Sequence, residues 1–175
     1  MDTMRAAVIY EAGPPDALKL VKRPIPKPKS GEVLIRVKAF GLNRSELFTR
    51  RGYSPDVTFP RILGIEAVGL IEEAPAGEFR RGDTVMTAMG GLAGNSTAAT
   101  PTIRSCPRSR SRAMNIAMRA SPSSSPEGLR GLASLVISRT ISVRMQEEMP
   151  LSKAAVALQL SREGKITGKI VLRIS

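Results

Sequence analysis

A helix and a strand stand by themselves at the end of this chain, with nothing near them in sequence to pack against. Leu151, Ala154, Ala155 and Leu158 fall on one face of a helix that Pro150 opens and Gly164 closes, and Lys169 to Ile174 then alternates as a strand. Neither element can bury its apolar side alone. They are expected to dock on the N-terminal half, which makes one domain out of two distant segments. The chain between them, from Ala93, reads AGNSTAATPTIRSCPRSRSRAMNIAMRASPSSSPEG and has neither period nor core. Whatever fold forms is therefore discontinuous.

The N-terminal half is punctuated for short strands. Arg5 to Tyr10 is an apolar run closed by the turn signal Gly13-Pro14-Pro15. Ala17 to Val21 reads as a second strand, halted by Pro24, Pro26 and Pro28, which hold the chain extended. Ser30-Gly31 turns into Glu32–Phe40, where Val33, Ile35, Val37 and Ala39 alternate with Leu34, Arg36 and Lys38. That period of two marks a half-buried strand. Asn43 to Arg51 suits a short helix stopped by Gly52. Gly64 to Glu72 supplies another strand, and Gly82-Asp83 turns into Thr84–Ala88. The class is mainly β with some α, a barrel or a sandwich.

Residue types exclude several chemistries. The chain has 175 residues, no histidine and a single cysteine, Cys106, so Ser-His-Asp and Cys-His catalysis, an internal disulfide and a multi-cysteine zinc site are all out of reach. Cys106 reads as an incidental loop thiol. No apolar run approaches the ~18 residues of a membrane span, so no membrane partner is expected. Asp2, Glu11 and Asp16 interrupt the first thirty residues and argue against a targeting peptide, which makes a cytoplasmic location the expectation. The net charge of +12 raises the question of nucleic acid, but no aromatic residue follows Phe79, so the basic middle has no stacking platform. Salt-sensitive adsorption is expected there, not specific recognition.

The stretch Phe40–Gly91 resembles the zinc-independent, quinone oxidoreductase-like branch of the medium-chain dehydrogenase/reductase family. The residues that carry the resemblance are Gly41-Leu42-Asn43-Arg44-Ser45-Glu46, Arg51-Gly52-Tyr53, Pro60 through Gly69, and Gly82-Asp83-Thr84-Val85, joined near the end by Gly168-Lys169-Ile170-Val171-Leu172. The resemblance implies a GroES-like, partly open β-barrel over residues 1–92, with residues 150–175 returning to it as helix and strand. It implies NADPH-dependent hydride transfer to a quinone or enone, with Asn43, Arg44 and Tyr53 toward the cofactor and Asn43, Tyr53 and Glu66 toward the substrate. No catalytic residue is assigned.

Zinc-dependent relatives carry Cys and His where this chain has Asn43 and Ile65, and isoleucine cannot ligate, so no metal is expected. Plainer roles stay open: Asn43 as a helix cap, Tyr53 as packing, Arg44 as a solvated charge, and Glu66 as an internal partner for a backbone amide or an arginine. No Gly-x-Gly-x-x-Gly follows a strand anywhere, and Gly90-Gly91-Leu92-Ala93-Gly94 is too short to replace it. These 175 residues are not expected to bind NADPH alone. Residues 93–149 are expected to be disordered or frame-shifted. Written as degenerate codons and read one base out of phase, Ala93 to Pro101 permit Arg-Gln-Phe-Asp-Gly-Ser-Tyr-Ala, which resembles the family's next strand. Alternative roles are a non-catalytic remnant or an interaction module, whose β-edges would pair with a second copy or an intact relative.

Overall fold

The computed structural model describes residues 2–28, 32–55, 57–77, 79–88, 102–104 and 126–174. The readings made for Ser30-Gly31, Gly90–Gly94 and Cys106 lie outside the described residues.

In chain order the elements are β1 (Thr3–Ile9), β2 (Leu18–Pro24), β3 (Glu32–Gly41), α1 (Arg44–Arg50), β4 (Arg61–Ile62), β5 (Glu66–Glu73), β6 (Thr84–Ala88), β7 (Thr102–Arg104), α2 (Pro126–Ile137), β8 (Met145–Pro150), α3 (Ala154–Arg162) and β9 (Lys169–Arg173). A three-stranded sheet has the order β2-β1-β4. A larger sheet runs β6-β5-β3-β9-β8, with β7 also pairing β3. The larger sheet ends in two edges and does not close, so the architecture is a partly open β fold with helices docked on it. β7, α2 and β8 fall within 93–149. Among the described residues no helix is long and apolar enough to cross a membrane.

Alternation along β3 turns directly into a core. Val33 and Ile35 point inward and are buried with Ala67 and Ile71 of β5 and Val85 of β6. Each such side chain contributes roughly 1.5–3 kcal/mol when fully buried. The second core collects Leu151, Ala154 and Ala157 with Ile170 and Leu172 of β9. Phe40, near the end of β3, packs against both clusters and ties them together. The terminal helix and strand thus bury their apolar faces on the N-terminal sheet, as their isolation in sequence demands.

The buried face of α3 differs in one residue from the sequence expectation. Ala157 is fully buried, whereas Ala155 is half-buried. Leu151–Lys153 forms a 3-10 turn before the α-helix begins. Three residues per turn, instead of 3.6, advance the phase and bring Ala157 onto the inner face with Leu158.

β3 is the strand that positions everything else. On one flank it pairs antiparallel with β5, Ala39 lying opposite Val68. On the other it pairs antiparallel with β9, Gly41 lying opposite Val171. Its C-terminal end is therefore the one place where the first residue of β5, Glu66, and the first residue of β9, Lys169, converge.

Candidate functional site

Four polar side chains meet at that convergence. As β3 ends, the Leu42 backbone N–H donates to the Ile170 carbonyl at 3.0 Å, locking the strand end to β9. The next residue, Asn43, is the N-cap of α1, with extended backbone at φ −118° and ψ 152°. Glu46 folds back from the third helical position, and its Oε2 accepts the Asn43 backbone N–H at 2.7 Å. This is a capping-box contact. The Asn43 side chain turns the other way. Its Nδ2 donates to the Gly41 carbonyl at 3.3 Å, and its Oδ1 accepts from Lys169 Nζ at 2.5 Å. Lys169 Nζ also pairs with Glu66 Oε1 at 2.8 Å.

The cluster closes over position 41, where a Cβ would meet Glu66 Oε1 and Lys169 Cε, the far ends of two flexible side chains that would have to shift to admit it. Glu66 also lines a cleft of ≈ 70 Å³ together with Arg5, Val37, Phe40, Leu63 and Leu151. The polar cluster thus borders a largely apolar recess through Glu66.

Glu46 is 3% exposed, and its Oε1 has no hydrogen-bond partner among the described residues. Burial pushes its carboxyl up from 4.5 to about 7. The Glu66 charge pushes the same way, while the Asn43 backbone N–H, Lys169 and the Ile65 backbone N–H pull it down. Near neutral pH the cluster therefore holds one firm carboxylate–ammonium pair beside a carboxyl poised to titrate.

The residues expected from the sequence separate into two groups. Asn43 and Glu66 come together, bridged by Lys169. Arg44 follows Asn43 but is exposed. Tyr53 lies beyond the opposite end of α1, 68% exposed, its ring 6.5 Å from that of Phe48. Of the four plainer roles left open, Asn43 occupies the helix cap, Arg44 is exposed, Tyr53 lies beside Phe48, and Glu66 pairs with a lysine in place of a backbone amide or an arginine. Lys169 itself was missed. The alternation of Ile170 and Leu172 puts it on the other face of β9, but no local pattern says which strand β9 will join. Chemically, the set offers a fixed ammonium, an amide and two carboxylates. An ammonium sits between the amide and carboxylate oxygens, and no group of three or more His, Cys, Asp or Glu is assembled among the described residues.

The family model of the alcohol dehydrogenase GroES-like domain matches residues 29–135. Class-3 alcohol dehydrogenase of Cereibacter sphaeroides is 35% identical over 114 residues, covering 64% of this chain and 27% of that protein. Quinone oxidoreductase of Homo sapiens is 38% identical over 111 residues, covering 59% and 34%. The chain thus spans about a third or less of the length of these curated relatives. Among solved structures, a quinone oxidoreductase from Coxiella burnetii superposes with a TM-score of 0.77 at 15% identity, covering 99% of this chain and 100% of that one. A mycobacterial protein solved with NADPH gives 0.69 at 16% identity, covering 98% and 100%. Through its GroES-like domain, the chain belongs to the medium-chain dehydrogenase/reductase family and is quinone oxidoreductase-like.

Proposed function

We propose that the chain forms the substrate-side domain of a zinc-independent oxidoreductase that uses NADPH to reduce a quinone or an enone. The observation that carries this reading is the Asn43–Lys169–Glu66 cluster bordering the cleft, in which an ammonium supplies the positive charge that a metal would otherwise provide. NADPH, when bound, supplies the hydride. The residues present supply part of the reacting end of such a site: Asn43 offers amide hydrogen-bonding groups, Arg44 an exposed charge and Glu66 a wall of the cleft, while Tyr53 lies beyond the far end of α1. Among the described residues they do not supply a pyrophosphate cradle, since no glycine-rich loop there leads into a helix N-terminus. These 175 residues therefore hold the cofactor poorly by themselves, and turnover requires a cofactor domain from elsewhere.

The test is a chimera in which residues 1–92 and 150–175 replace the matching parts of human quinone oxidoreductase. NADPH oxidation driven by a quinone, unchanged by a chelator, supports the reading. A folded chimera that binds NADPH but reduces neither quinone nor enone overturns it.

A second reading rests on a different observation. Leu132, Ile137, Val143 and Met145 are 52%, 68%, 66% and 54% exposed, and they lead into β8 at the edge of the larger sheet. An apolar run beside an open edge suits an interaction module that pairs with a second copy or an intact relative. A monodisperse monomer at high concentration that fails to co-purify with such a relative removes this alternative.

A further inference from the structure

Two carboxyl groups and one ammonium meet where β3, β5 and β9 converge, so the cluster balances its charge only while one carboxyl keeps a proton. Glu46 is that carboxyl. It is 3% exposed, and among the described residues its Oε1 has no hydrogen-bond partner. Burial, helped by the Glu66 charge, raises its titration to about 7. Each neighbouring element contributes to its surroundings. β5 brings Glu66 and, just ahead of the strand, the Ile65 backbone N–H; β9 brings Lys169; the cap of α1 brings the Asn43 backbone N–H. Arg50, one turn further along α1 and also buried, gives its guanidinium to the Gly13 carbonyl.

Asn43 joins the two halves of the cluster. Its backbone N–H donates to Glu46 Oε2 at 2.7 Å, and its side-chain Oδ1 accepts from Lys169 Nζ at 2.5 Å. The carboxyl and the ammonium therefore lie within one residue's reach of each other. Lys169 holds one charged oxygen, Glu66 Oε1 at 2.8 Å, and one neutral oxygen, that of Asn43. A carboxylate holds an ammonium more firmly than an amide oxygen does, the more so out of water. Once Glu46 ionises, the bond to the amide is the one to give way. We propose that Glu46, Asn43 and Lys169 form a proton-operated switch: with Glu46 protonated the ammonium bridges Asn43 and Glu66, and with Glu46 ionised it bridges the two carboxylates and releases the Asn43 side chain. The proton goes to water. The cluster passes from balanced to one net negative charge, and Glu66, a wall of the cleft, belongs to it. The switch is a property of these residues and holds whether or not the cleft turns over a substrate.

The experiment follows the Asn43 side-chain amide by NMR in the full chain. The sequence has three asparagines, so selective ¹⁵N labelling of asparagine gives three side-chain amide pairs, and Asn43→Ser identifies the one from position 43. As pH rises, that pair is expected to shift with a midpoint of about 7. Glu46→Gln is expected to remove the shift. Glu66→Gln, which takes away the neighbouring negative charge, is expected to move the midpoint down. Lys169→Met is expected to remove the shift as Glu46→Gln does, and Lys169→Gln serves if the methionine variant fails to fold, as judged by far-UV circular dichroism. An Asn43 pair that stays still in wild type overturns the inference, and so does a shift that survives Glu46→Gln. A shift that survives in the folded neutral Lys169 variant also overturns it, because the charge on Glu46 then acts on Asn43 without the ammonium moving.

Discussion

Replacing Glu46 with glutamine should change how stability depends on pH more than it changes stability at any single pH. Glu46 is 3% exposed, and burial is the chief reason its carboxyl titrates at about 7 instead of 4.5. In the unfolded chain the group ionises as pH rises through 4.5, whereas in the folded chain it keeps its proton until about 7. Between those values the folded state binds the extra proton, so stability falls as pH rises. Below the window the group has no effect, and above it the loss is complete. At about 1.4 kcal/mol for each pH unit between the two values, the fold loses about 3 kcal/mol across the window. Glutamine keeps an oxygen for the Asn43 N–H and cannot ionise. Its buried amide nitrogen lacks a partner, which costs about 1–3 kcal/mol at every pH. The difference between wild type and Glu46→Gln should therefore favour wild type at pH 4.5 and shrink or reverse by pH 8. Urea unfolding followed by far-UV circular dichroism suits a chain without tryptophan. Carboxylates that do not interact with Glu46 cancel in the difference, whereas Glu66 and Lys169 couple to its charge and belong to the effect being read. A difference that stays flat from pH 4.5 to 8 refutes the claim that burial holds this proton.

Leu172→Ala should lower stability by about 2–5 kcal/mol, read from the urea midpoint, because Leu172 is 1% exposed in the second core. Gly69→Ala should cost about 1–3 kcal/mol, since its Cβ would press on the Arg36 backbone and on Ile35 Cγ2. Faster amide exchange along β3 and β5 would locate that damage. Prolonged treatment with a chelator is expected to leave the thermal midpoint unchanged, and a lower midpoint would reveal a structural metal.

The strands were legible wherever one face is buried and the other wet. Val33, Ile35, Ala67 and Ile71 alternate with solvated neighbours, and a period of two survives any detail of packing. Asn43 and Glu66 were legible as site residues only through resemblance, yet the fold does bring them within reach of one ammonium. Lys169 was not legible, because its partner set depends on β9 choosing the flank of β3, a pairing that no local pattern encodes. The burial of Glu46 was equally hidden, since an acid at the third helical position reads as a capping residue and nothing in the sequence shows that β5 and β9 will shut it from water. α2 and β8 lie in a stretch whose composition suggested no order. Residues 93–149 were expected to be disordered or frame-shifted, and the helix there runs from Pro126 to Ile137.

The pairing of β3 with β9 has a consequence for how the chain is made. While the first ninety residues emerge from the ribosome, β5 and β6 can zip onto one flank of β3 within a short stretch of synthesis. The other flank, from Ala39 to Gly41, must wait for Arg173, Leu172 and Val171. Closing so long a loop adds little in free energy, because its entropy grows only with the logarithm of length. It adds a delay. Throughout that delay the nascent sheet shows an unpaired edge beside the half-buried ring of Phe40, and the strand of a neighbouring nascent chain fits that edge as well as its own does. Yield at high expression should therefore depend on how fast translation runs from β6 to β9.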